Sequence, residues 1–285
     1  MIVTMKELLQ EAEKKQIAVG AFNVGNLEMV EGAVRAAESC MTPIILQVAE
    51  KRLNTSPLEL IGPMMVSAAK HAKVKVAVQL DHGVSEAVIR FALDLGFSSV
   101  MFDGSELSLE KNIRRSPYFL EMARKYGASF EAELGSIGGS EGGLEREVCC
   151  TRPEDAVLFC QEVKPDALAI AIGNAHGHYK EAPDLRFDIL KSIRSFVAVP
   201  LVLHGGSGIS FAEFRKAIRL GMRKINIGTA SFDAYTDGAR QYLEKEPKGT
   251  YFGLSASEAD YVCDNVRRHI QVFNNEVPLE TLEKR

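Results

Sequence analysis

Short apolar runs with strand character alternate with segments of helical period along the whole chain. Each run is followed by a stretch in which apolar residues recur at helical spacing, as in PEDAVLFCQEV. The eight runs are residues 18–24, 43–49, 75–82, 98–105, 128–135, 167–174, 200–207 and 224–230. Strands that alternate with helices pair in parallel through right-handed crossovers, and eight such units close into a barrel. The pattern therefore predicts an α/β protein with a single (β/α)8 TIM barrel.

The chain length suits one barrel. We expect the 285 residues to form a single (β/α)8 barrel domain over residues 1–285. A doubly wound open sheet is the alternative, but no GxGxxG motif follows the first run. The late sequence DYVCDNVRRHIQVFNNEV has helical period and predicts a C-terminal helical extension, either an assembly helix or a cap on the barrel.

Charge and hydropathy exclude several classes of protein. The formal net charge is −4 and the pI is about 5.9, and no block of Lys and Arg offers a basic surface for nucleic acid. No apolar run approaches the roughly 18 residues of a membrane span, and the N-terminus lacks the apolar core of a signal peptide. The five cysteines form no CxxC pair and are expected to be reduced thiols. We expect a cytoplasmic protein that binds a small molecule and neither nucleic acid nor membrane.

Polar and ionisable residues crowd the C-terminal ends of the predicted strands. They are Asn23, Asp81, His82, Asp103, Glu131, Glu133, Asn174, His176, His204, Asn226 and Thr229. Barrel enzymes place their chemistry on this face, because the strand ends and the loops that follow them converge there. The distribution predicts an active site at the C-terminal face of the barrel.

Three of the six histidines lie at or just past strand ends: His82, His176 and His204. Three imidazoles with an open fourth position make a catalytic Zn²⁺ site. The presence of all three on one predicted face favours metal binding over three separate hydrogen-bonded histidines. His178, two residues beyond His176, competes for the role of ligand.

Carboxylates accompany these histidines. Asp81 directly precedes His82, and both can face one site only if the strand bends or ends there, which Gly83 makes easy. Asp81 then suits general acid and base work, whereas its alternative role is to cap the following helix. Glu131 and Glu133 point the same way along their strand. At least one of them should belong to the site, because buried carboxylates are rare unless paired or metal-bound.

Two glycine-rich stretches predict contacts with a ligand. The sequence LVLHGGSGIS at 201–210 carries a strand into a loop with few side chains, where successive N–H groups can form a concavity for an anion. The longest insertion, residues 136–152, contains Ser140 and Glu141 among four glycines. It predicts a mobile loop that closes over the site, with a plain surface excursion as the alternative.

These motifs together resemble a known enzyme family. AFNV near the start, LDHG at 80–83, SVMFDGS at 99–105, EAELGSIGG at 131–139, LAIAIGNAHGHY at 168–179, PLVLHGGSGI at 200–209 and KINIGTA at 224–230 are similar, in order and spacing, to motifs of the class II, metal-dependent ketose-bisphosphate aldolases. The resemblance covers practically the whole chain. It is closest to the branch of tagatose-bisphosphate and fructose-bisphosphate aldolase-like enzymes.

The resemblance implies a role for each matching residue. Asp81 matches the acid/base that exchanges a proton with the oxygen across the scissile bond, and Glu141 matches the loop glutamate that handles the proton at the nucleophilic carbon. The implied metal-binding residues are His82, His176, His204, Glu133 and Asp103. The implied substrate-binding residues are Asn23, Gly177, Gly205, Gly206, Ser207, Asn226, Ile227, Gly228 and Thr229.

The activity implied by the resemblance is reversible carbon–carbon cleavage. A zinc-dependent aldolase would cleave a ketose (bis)phosphate, such as tagatose or fructose 1,6-bisphosphate, to dihydroxyacetone phosphate and an aldehyde. The resemblance also implies a monovalent cation, Na⁺ or K⁺, beside the phosphate, and a homodimer or homotetramer. The alternative is a catalytically inert or chaperone-like sugar-phosphate-binding subunit of an aldolase complex.

The sequence departs from the family where the distal end of the substrate binds. Relatives tend to have small residues after the second strand, whereas this chain has Glu50, Lys51 and Arg52. Glu50 would repel a phosphate if it faced the site, and Lys51 or Arg52 would bind one. Arg267 and Arg268 in the late helix are further candidates for a distal anion, including that of a neighbouring subunit, with a solvated helix face as the alternative.

Two other enzyme classes on this fold are disfavoured. A Schiff-base aldolase needs a lysine inside the barrel near the C-terminal face. Lys224 and Lys75 begin their predicted strands and are expected on the opposite face. A metal-dependent hydrolase would typically show paired histidines on the first strand, and AVGAFNV has none.

Overall fold

The computed structural model describes residues 1–141, 144–146, 149–179, 181, 183–276 and 278. Eight parallel strands close into a barrel in which strands that follow each other in the chain are also neighbours in space. They are β1 (Val19–Asn23), β2 (Ile44–Ala49), β3 (Val76–Gly83), β4 (Ser99–Phe102), β5 (Ser129–Leu134), β8 (Ala167–Ile170), β10 (Leu201–Leu203) and β11 (Met222–Ile227). The predicted (β/α)8 barrel is confirmed, with the fourth, sixth and seventh barrel strands no more than half as long as predicted.

A helix follows every barrel strand, and two more helices complete the described part of the fold. The helices are α1 (Met5–Lys15), α2 (Leu27–Ser39), α3 (Leu58–His71), α4 (Glu86–Asp94), α5 (Leu109–Lys125), α6 (Pro153–Glu162), α7 (Phe187–Phe196), α8 (Phe211–Arg219), α9 (Thr229–Lys245) and α10 (Tyr251–Phe273). A 3-10 turn, Glu50–Arg52, follows β2. None of the described helices has the length and apolar character needed to cross a membrane.

The main hydrophobic core fills the layer between the strands and the surrounding helices. Alternate strand residues such as Ile225 and Ile227 face this layer, while their neighbours Lys224 and Asn226 point into the barrel. Helix α1 closes the N-terminal end, where its apolar residues pack on Ala21 and Ile45. The C-terminal end of the barrel is not covered by this helix.

Helix α10 packs along α2 and α9. Its last turn reaches the N-terminal end of the barrel, because the Phe273 carbonyl accepts from the Ala18 N–H just before β1. The Asn274 amide also donates to Thr42 just before β2. Arg267 and Arg268 therefore lie on the half of α10 nearer the closed end of the barrel, away from the open end of their own chain.

A small second sheet lies over the open end. It consists of β6 (Gly138–Glu141), β7 (Leu144–Arg146) and β9 (Ala175–His176), with β6 at its centre. Gly139 of β6 is in register with His176 of β9. The described part of the predicted mobile loop is thus a β-hairpin paired to a strand that carries a candidate metal ligand.

Candidate active site

A bend at the end of β3 brings Asp81 and His82 to the same side of the strand. His82 has φ of 46°, in the left-handed region that a non-glycine residue rarely adopts, and the pairing of β3 with β4 shifts register between Leu80 and Gly83. Gly83 has a different role from the predicted one, since a Cβ there would lie 2.6 Å from the Met101 carbonyl oxygen. The bend satisfies the condition set by the sequence for both side chains to serve one site.

The three predicted histidines converge. Ring nitrogens of His82, His176 and His204 lie within 4.8 Å of one another. The ring centroids are 5.0 Å apart for His82 and His176 and 4.6 Å apart for His82 and His204. Two ligand nitrogens bound at about 2.0–2.1 Å to one tetrahedral zinc lie roughly 3.3 Å apart, so these spacings suit a shared ion.

Carboxylates fix the orientation of two of these rings. Nδ1 of His82 lies 2.8 Å from Oδ2 of Asp103, and Nε2 of His204 lies 2.9 Å from Oε1 of Glu131. Since a carboxylate accepts, each of these nitrogens carries the ring proton. The remaining nitrogens, His82 Nε2 and His204 Nδ1, then face each other as acceptors only 2.9 Å apart. Two acceptors at this distance require either a second proton on one ring or a metal ion, and the residues present fit a metal ion.

A second group could hold a metal on the other side of His82. Ligand atoms of His82, Asp103 and Glu133 also lie within 4.8 Å of one another, and all three residues are buried. Burial raises the pKa of Asp103, but hydrogen bonds from His82 and Ser105 outweigh it and hold the pKa well below its usual range. Asp103 is therefore an anion that either orients His82 or binds a metal ion directly.

Glu131 lies under the histidines in a buried network that the sequence did not predict. Its Oε2 accepts from Lys224 Nζ at 2.8 Å and from Gln79 Nε2 at 2.9 Å. Burial raises the pKa of Glu131, but the charge of Lys224 and the hydrogen bond from His204 outweigh it and lower the pKa to about 2. Lys224 itself is fully buried inside the barrel, so the expectation that it lies on the opposite face is wrong. Its ammonium group is held by Glu131 and by Asn226 Oδ1, which leaves it unsuited to a Schiff base.

Asp81 is surrounded by amide donors. Its Oδ2 accepts from Asn23 Nδ2 at 3.1 Å and from Gln47 Nε2 at 3.3 Å, and its Oδ1 accepts from Asn226 Nδ2 at 3.3 Å. These contacts involve side chains and not the backbone N–H groups of α4, whose cap is Ser85. Asp81 therefore does not cap the helix, and its carboxylate is oriented toward the open cavity.

The cavity beside Asp81 has the features of an anion site. Its lining is Asn23, Arg52, Asp81, His176, Gly177, Gly205, Ser207, Asn226, Gly228, Thr229 and Phe232. Gly177 and Gly205 have φ of 86° and 62°, which turns backbone N–H groups in a way that side-chain residues rarely allow. Helix α9 begins at Thr229 and directs the positive end of its dipole at the same cavity.

Three predicted residues are placed differently from the rest. The Gly206 N–H donates to the Asn226 carbonyl, and Gly206 is not among the lining residues. The Ile227 side chain is buried in the core between strands and helices. The backbone of Glu141 lies in β6, but its side chain is outside the described part of the structure.

Tyr179 and Asn174 hold the loops of the site, and sequence reasoning assigned them no such role. The Tyr179 hydroxyl accepts from the Ala175 N–H at 2.8 Å and donates to the Gly205 carbonyl at 2.9 Å. Asn174 Nδ2 donates to the His204 carbonyl at 3.0 Å. These bonds join the segment that carries His176 to the glycine-rich loop after β10. The signal in the sequence was the motif GNAHGHY itself, whose polar residues all serve one corner of the barrel.

The remaining candidate residues differ in whether they lie at the site. His178 pairs with Asp233 at 2.9 Å on the surface and does not join the histidine cluster. Glu50 accepts from the N–H groups of Val84 and Ser85 and so supports the loop after β3. Arg52 lines the cavity, with its guanidinium 5.3 Å from the Phe232 ring centroid. Of the two cations predicted after β2, Arg52 is the one placed at the site.

Proteins of a known family are similar to this chain in sequence and in fold. The sequence pattern of the family described as "Fructose-bisphosphate aldolase class-II" matches residues 3–277. A sulfofructosephosphate aldolase from Alkalicoccus urumqiensis is 37% identical over 278 residues, which cover 96% of this chain and 97% of the relative. A fructose-bisphosphate aldolase from Geobacillus stearothermophilus is 38% identical over 252 residues, covering 86% of this chain and 87% of the relative. The crystal structure of the YdjI aldolase from Escherichia coli K12 has a TM-score of 0.86 at 33% identity and covers 96% of this chain and 97% of that one.

Proposed function

The chain belongs to the class II fructose-bisphosphate aldolase family and is a carbon–carbon lyase, and from this premise we propose that it cleaves a ketose phosphate to dihydroxyacetone phosphate and an aldehyde with zinc held by His82, His176 and His204. The observation that carries the proposal is the pair of ring nitrogens, His82 Nε2 and His204 Nδ1, that face each other 2.9 Å apart while carboxylates take both ring protons. Zn²⁺ bound there would act as a Lewis acid that stabilises negative charge on the ketone fragment as the carbon–carbon bond breaks.

Asp81 is the proposed base for cleavage. Its carboxylate borders the cavity beside His176, and three side-chain amides donate to it. These donors orient the carboxylate so that it can take the proton from the hydroxyl whose carbon becomes the aldehyde. In the direction of synthesis, Asp81 returns that proton to the new alkoxide.

Glu141 is the proposed partner acid on the ketone side. Its assignment rests on the family resemblance, and the pairing of β6 with β9 keeps the Glu141 backbone two positions beyond the residue in register with His176. When the carbon–carbon bond breaks, its electron pair goes to the ketone fragment. Glu141 would then protonate the carbon on that side of the broken bond, which gives dihydroxyacetone phosphate. Two carboxylates with different partners divide the two proton transfers between them.

Backbone groups are the proposed phosphate site. Gly177, Gly205 and Ser207 face the N-terminus of α9 across the cavity, so an anion there would meet N–H dipoles. The Gly205 carbonyl oxygen also lies at this corner, where it is a candidate ligand for the proposed Na⁺ or K⁺. This arrangement explains how a protein of net charge −4 binds a phosphate ester. We further propose a cytoplasmic homodimer or homotetramer, which sedimentation velocity would test.

The aldehyde product is proposed to carry an anion at its far end. The two relatives are named for fructose bisphosphate and for a sulfofructose phosphate, so their names differ in the second anionic group and agree that one is present. Arg52 makes no ion pair with any described residue, and its planar cation lies in the cavity lining against Phe232. A guanidinium in this position suits a terminal phosphate, sulfonate or carboxylate. Tagatose or fructose 1,6-bisphosphate are the first substrates to try.

Deuterium exchange tests the half-reaction without knowledge of the aldehyde. The zinc-loaded protein and dihydroxyacetone phosphate alone are incubated in D₂O, and exchange at the hydroxymethyl carbon is followed by NMR. We expect exchange that stops with EDTA and with Glu141→Ala and continues with Asp81→Asn. A fully metallated protein without exchange would rule out the proposal and favour an inert binding subunit.

Two variants in the 3-10 turn Glu50–Arg52 test whether the acceptor aldehyde carries an anion. Arg52→Ala should raise KM for an aldehyde with a terminal phosphate or sulfonate by roughly 10–100-fold, whereas Lys51→Ala, which changes the adjacent cation, should not. Neither variant should alter condensation with uncharged glyceraldehyde or exchange of dihydroxyacetone phosphate. Equal loss for charged and uncharged aldehydes would show that Arg52 has no part in selecting the acceptor.

A further inference from the structure

Below the histidines, one cation joins the metal ligands to the acid/base. Lys224 Nζ donates to Glu131 Oε2 and to Asn226 Oδ1, both at 2.8 Å. Glu131 holds His204 through its other oxygen, and Asn226 donates to Asp81. Every one of these side chains is at most 4% exposed. We propose that Glu131 and Lys224 are a positioning pair that fixes the tautomer of His204 and the orientation of the Asn226 amide.

The first half of this role follows from counting donors. Three donors surround the Glu131 carboxylate: Lys224 Nζ, Gln79 Nε2 and the ring N–H of His204. Lysine can only donate, so the two oxygens must both accept. His204 therefore keeps its proton on Nε2, and Nδ1 keeps its lone pair toward His82 and the metal site.

The second half follows from the Asn226 amide. Because Lys224 donates to Oδ1, the amide nitrogen must point the other way, where it lies 3.3 Å from Asp81 Oδ1. Without the ammonium group, either orientation of the amide becomes possible, and one of them sets an oxygen against the Asp81 carboxylate. Lys224 thus acts on Asp81 through Asn226 and touches neither metal nor substrate.

The variant Glu131→Gln tests the tautomer. The new amide must turn its NH₂ group either toward Lys224, which can only donate, or toward His204, which can adapt by moving its proton to Nδ1. We expect the second outcome, with the proton on the nitrogen that should bind zinc. The zinc dissociation constant, measured by competition with a chelator, should rise by roughly 10–100-fold. The matched control is Glu13→Gln, which removes a carboxylate paired with Arg194 and Arg223 at the closed end.

The double variant Glu131→Gln, Lys224→Met gives the sharpest outcome. Without the ammonium group, the glutamine can point its NH₂ group away from His204, toward a rotated Gln79 amide, and offer its oxygen to the ring N–H. We expect the second substitution to recover at least part of the zinc affinity lost by the first. A pair with a purely structural role would give additive losses in the double variant, which would overturn the proposal.

A measurement on the wild-type protein is independent of how well the variants fold. In the zinc-loaded protein labelled with ¹⁵N-histidine, long-range NMR correlations should show the His204 proton on Nε2. A proton on Nδ1 would overturn the proposal, as would a zinc affinity of Glu131→Gln equal to that of Glu13→Gln.

This inference rests on the proposed function of a zinc-dependent aldolase, but the experiments distinguish a failure of the positioning pair from a failure of the aldolase proposal. Zinc affinity and the tautomer are measured without turnover. A wild-type protein that shows both but does not exchange dihydroxyacetone phosphate would refute the aldolase proposal and leave the positioning pair intact. For Lys224→Met alone we expect kcat for cleavage to fall by at least about 10-fold with little change in KM, because Asp81 and not substrate binding is affected. The control Lys75→Met removes an exterior ammonium group paired with Glu7 and Glu11 and should leave kcat unchanged.

Discussion

The buried imidazole of His269 should make the stability of the barrel sensitive to acid. His269 lies in α10 and is only 8% exposed. Its ring centroid is 5.8–6.3 Å from those of Phe22, Phe211, Phe214 and Phe273. Its Nδ1 donates to the backbone carbonyl of Asn265, one turn earlier in the helix. Burial, with a smaller contribution from the Arg268 charge, lowers the pKa of His269 from 6.5 to about 4.

The size and sign of the effect follow from linkage. Between pH 6.5 and about 4 the unfolded chain binds the His269 proton and the folded chain does not. The free energy of unfolding therefore falls as the pH falls through this window, and it is unaffected by His269 above it. Each pH unit corresponds to about 1.4 kcal/mol, so the full loss is about 3 kcal/mol.

Urea unfolding of two leucine variants isolates this contribution. The metal-free protein in EDTA is unfolded at several pH values between about 7.5 and about 4, so that zinc release does not add its own pH dependence. His269→Leu should lose about 3 kcal/mol less than the wild type over this range. His71→Leu is the control, because His71 makes the same bond to the carbonyl one turn earlier but is exposed on α3.

A difference in unfolding free energy between His269→Leu and wild type that stays constant from neutral to acid pH would refute the reasoning. So would an NMR titration that places the pKa of His269 in the folded protein near 6.5. In either case the aromatic rings around the imidazole would be stabilising its charged form to the extent that burial penalises it.

Three further predictions concern the site. Asp81→Asn should lower kcat for cleavage by roughly 10²–10⁴-fold with unchanged zinc stoichiometry, and a parallel loss of zinc would make Asp81 a ligand instead. Gly205→Ala should raise KM for the phosphorylated ketose at least about 10-fold, because its Cβ would lie 2.2 Å from the Ala175 carbonyl oxygen. Gly127→Ala also has positive φ but open space around it, so it should cost only about 1 kcal/mol in urea unfolding and leave KM unchanged. Tyr179→Phe should lower stability by about 1–3 kcal/mol and raise KM, since it removes the hydroxyl that bridges Ala175 and Gly205; a change in stability alone would limit its role to the fold.

The barrel was predictable because its strands are apolar and regularly spaced, whereas the start of the strand that begins with buried basic residues was predicted two residues too late. Strand β11 begins at Met222, two residues before the predicted start, and includes Arg223 and Lys224. Both charged residues are buried because partners compensate them, Glu13 and Gln16 for Arg223 and Glu131 for Lys224. Those partners are distant in sequence, so local hydropathy cannot reveal the pairing.

The candidate metal ligands were predictable for a different reason. Histidines at the ends of parallel strands must meet at one end of a barrel, whichever loops follow them. The bend at His82 was not predictable in detail, since the left-handed conformation is unfavourable for histidine and is maintained only by the surrounding contacts. Among these is the bond from His82 to Asp103, 21 residues later in the chain.

Charge balance connects the fold to the chemistry. In the described part of the structure, four buried carboxylates lie at the open end of the barrel, those of Asp81, Asp103, Glu131 and Glu133, and Lys224 is the one buried lysine among them. Ionised carboxylates buried without compensation are strongly unfavourable. Lys224 is paired with Glu131, and Asp103 and Glu133 lie beside His82, with Glu133 Oε2 3.8 Å from Nδ1 of both His82 and His204. The proposed metal ion at the three histidines would offset part of this negative charge, and the same charge would favour the proposed phosphate site on the far side of Asp81, among glycine N–H groups and the start of α9.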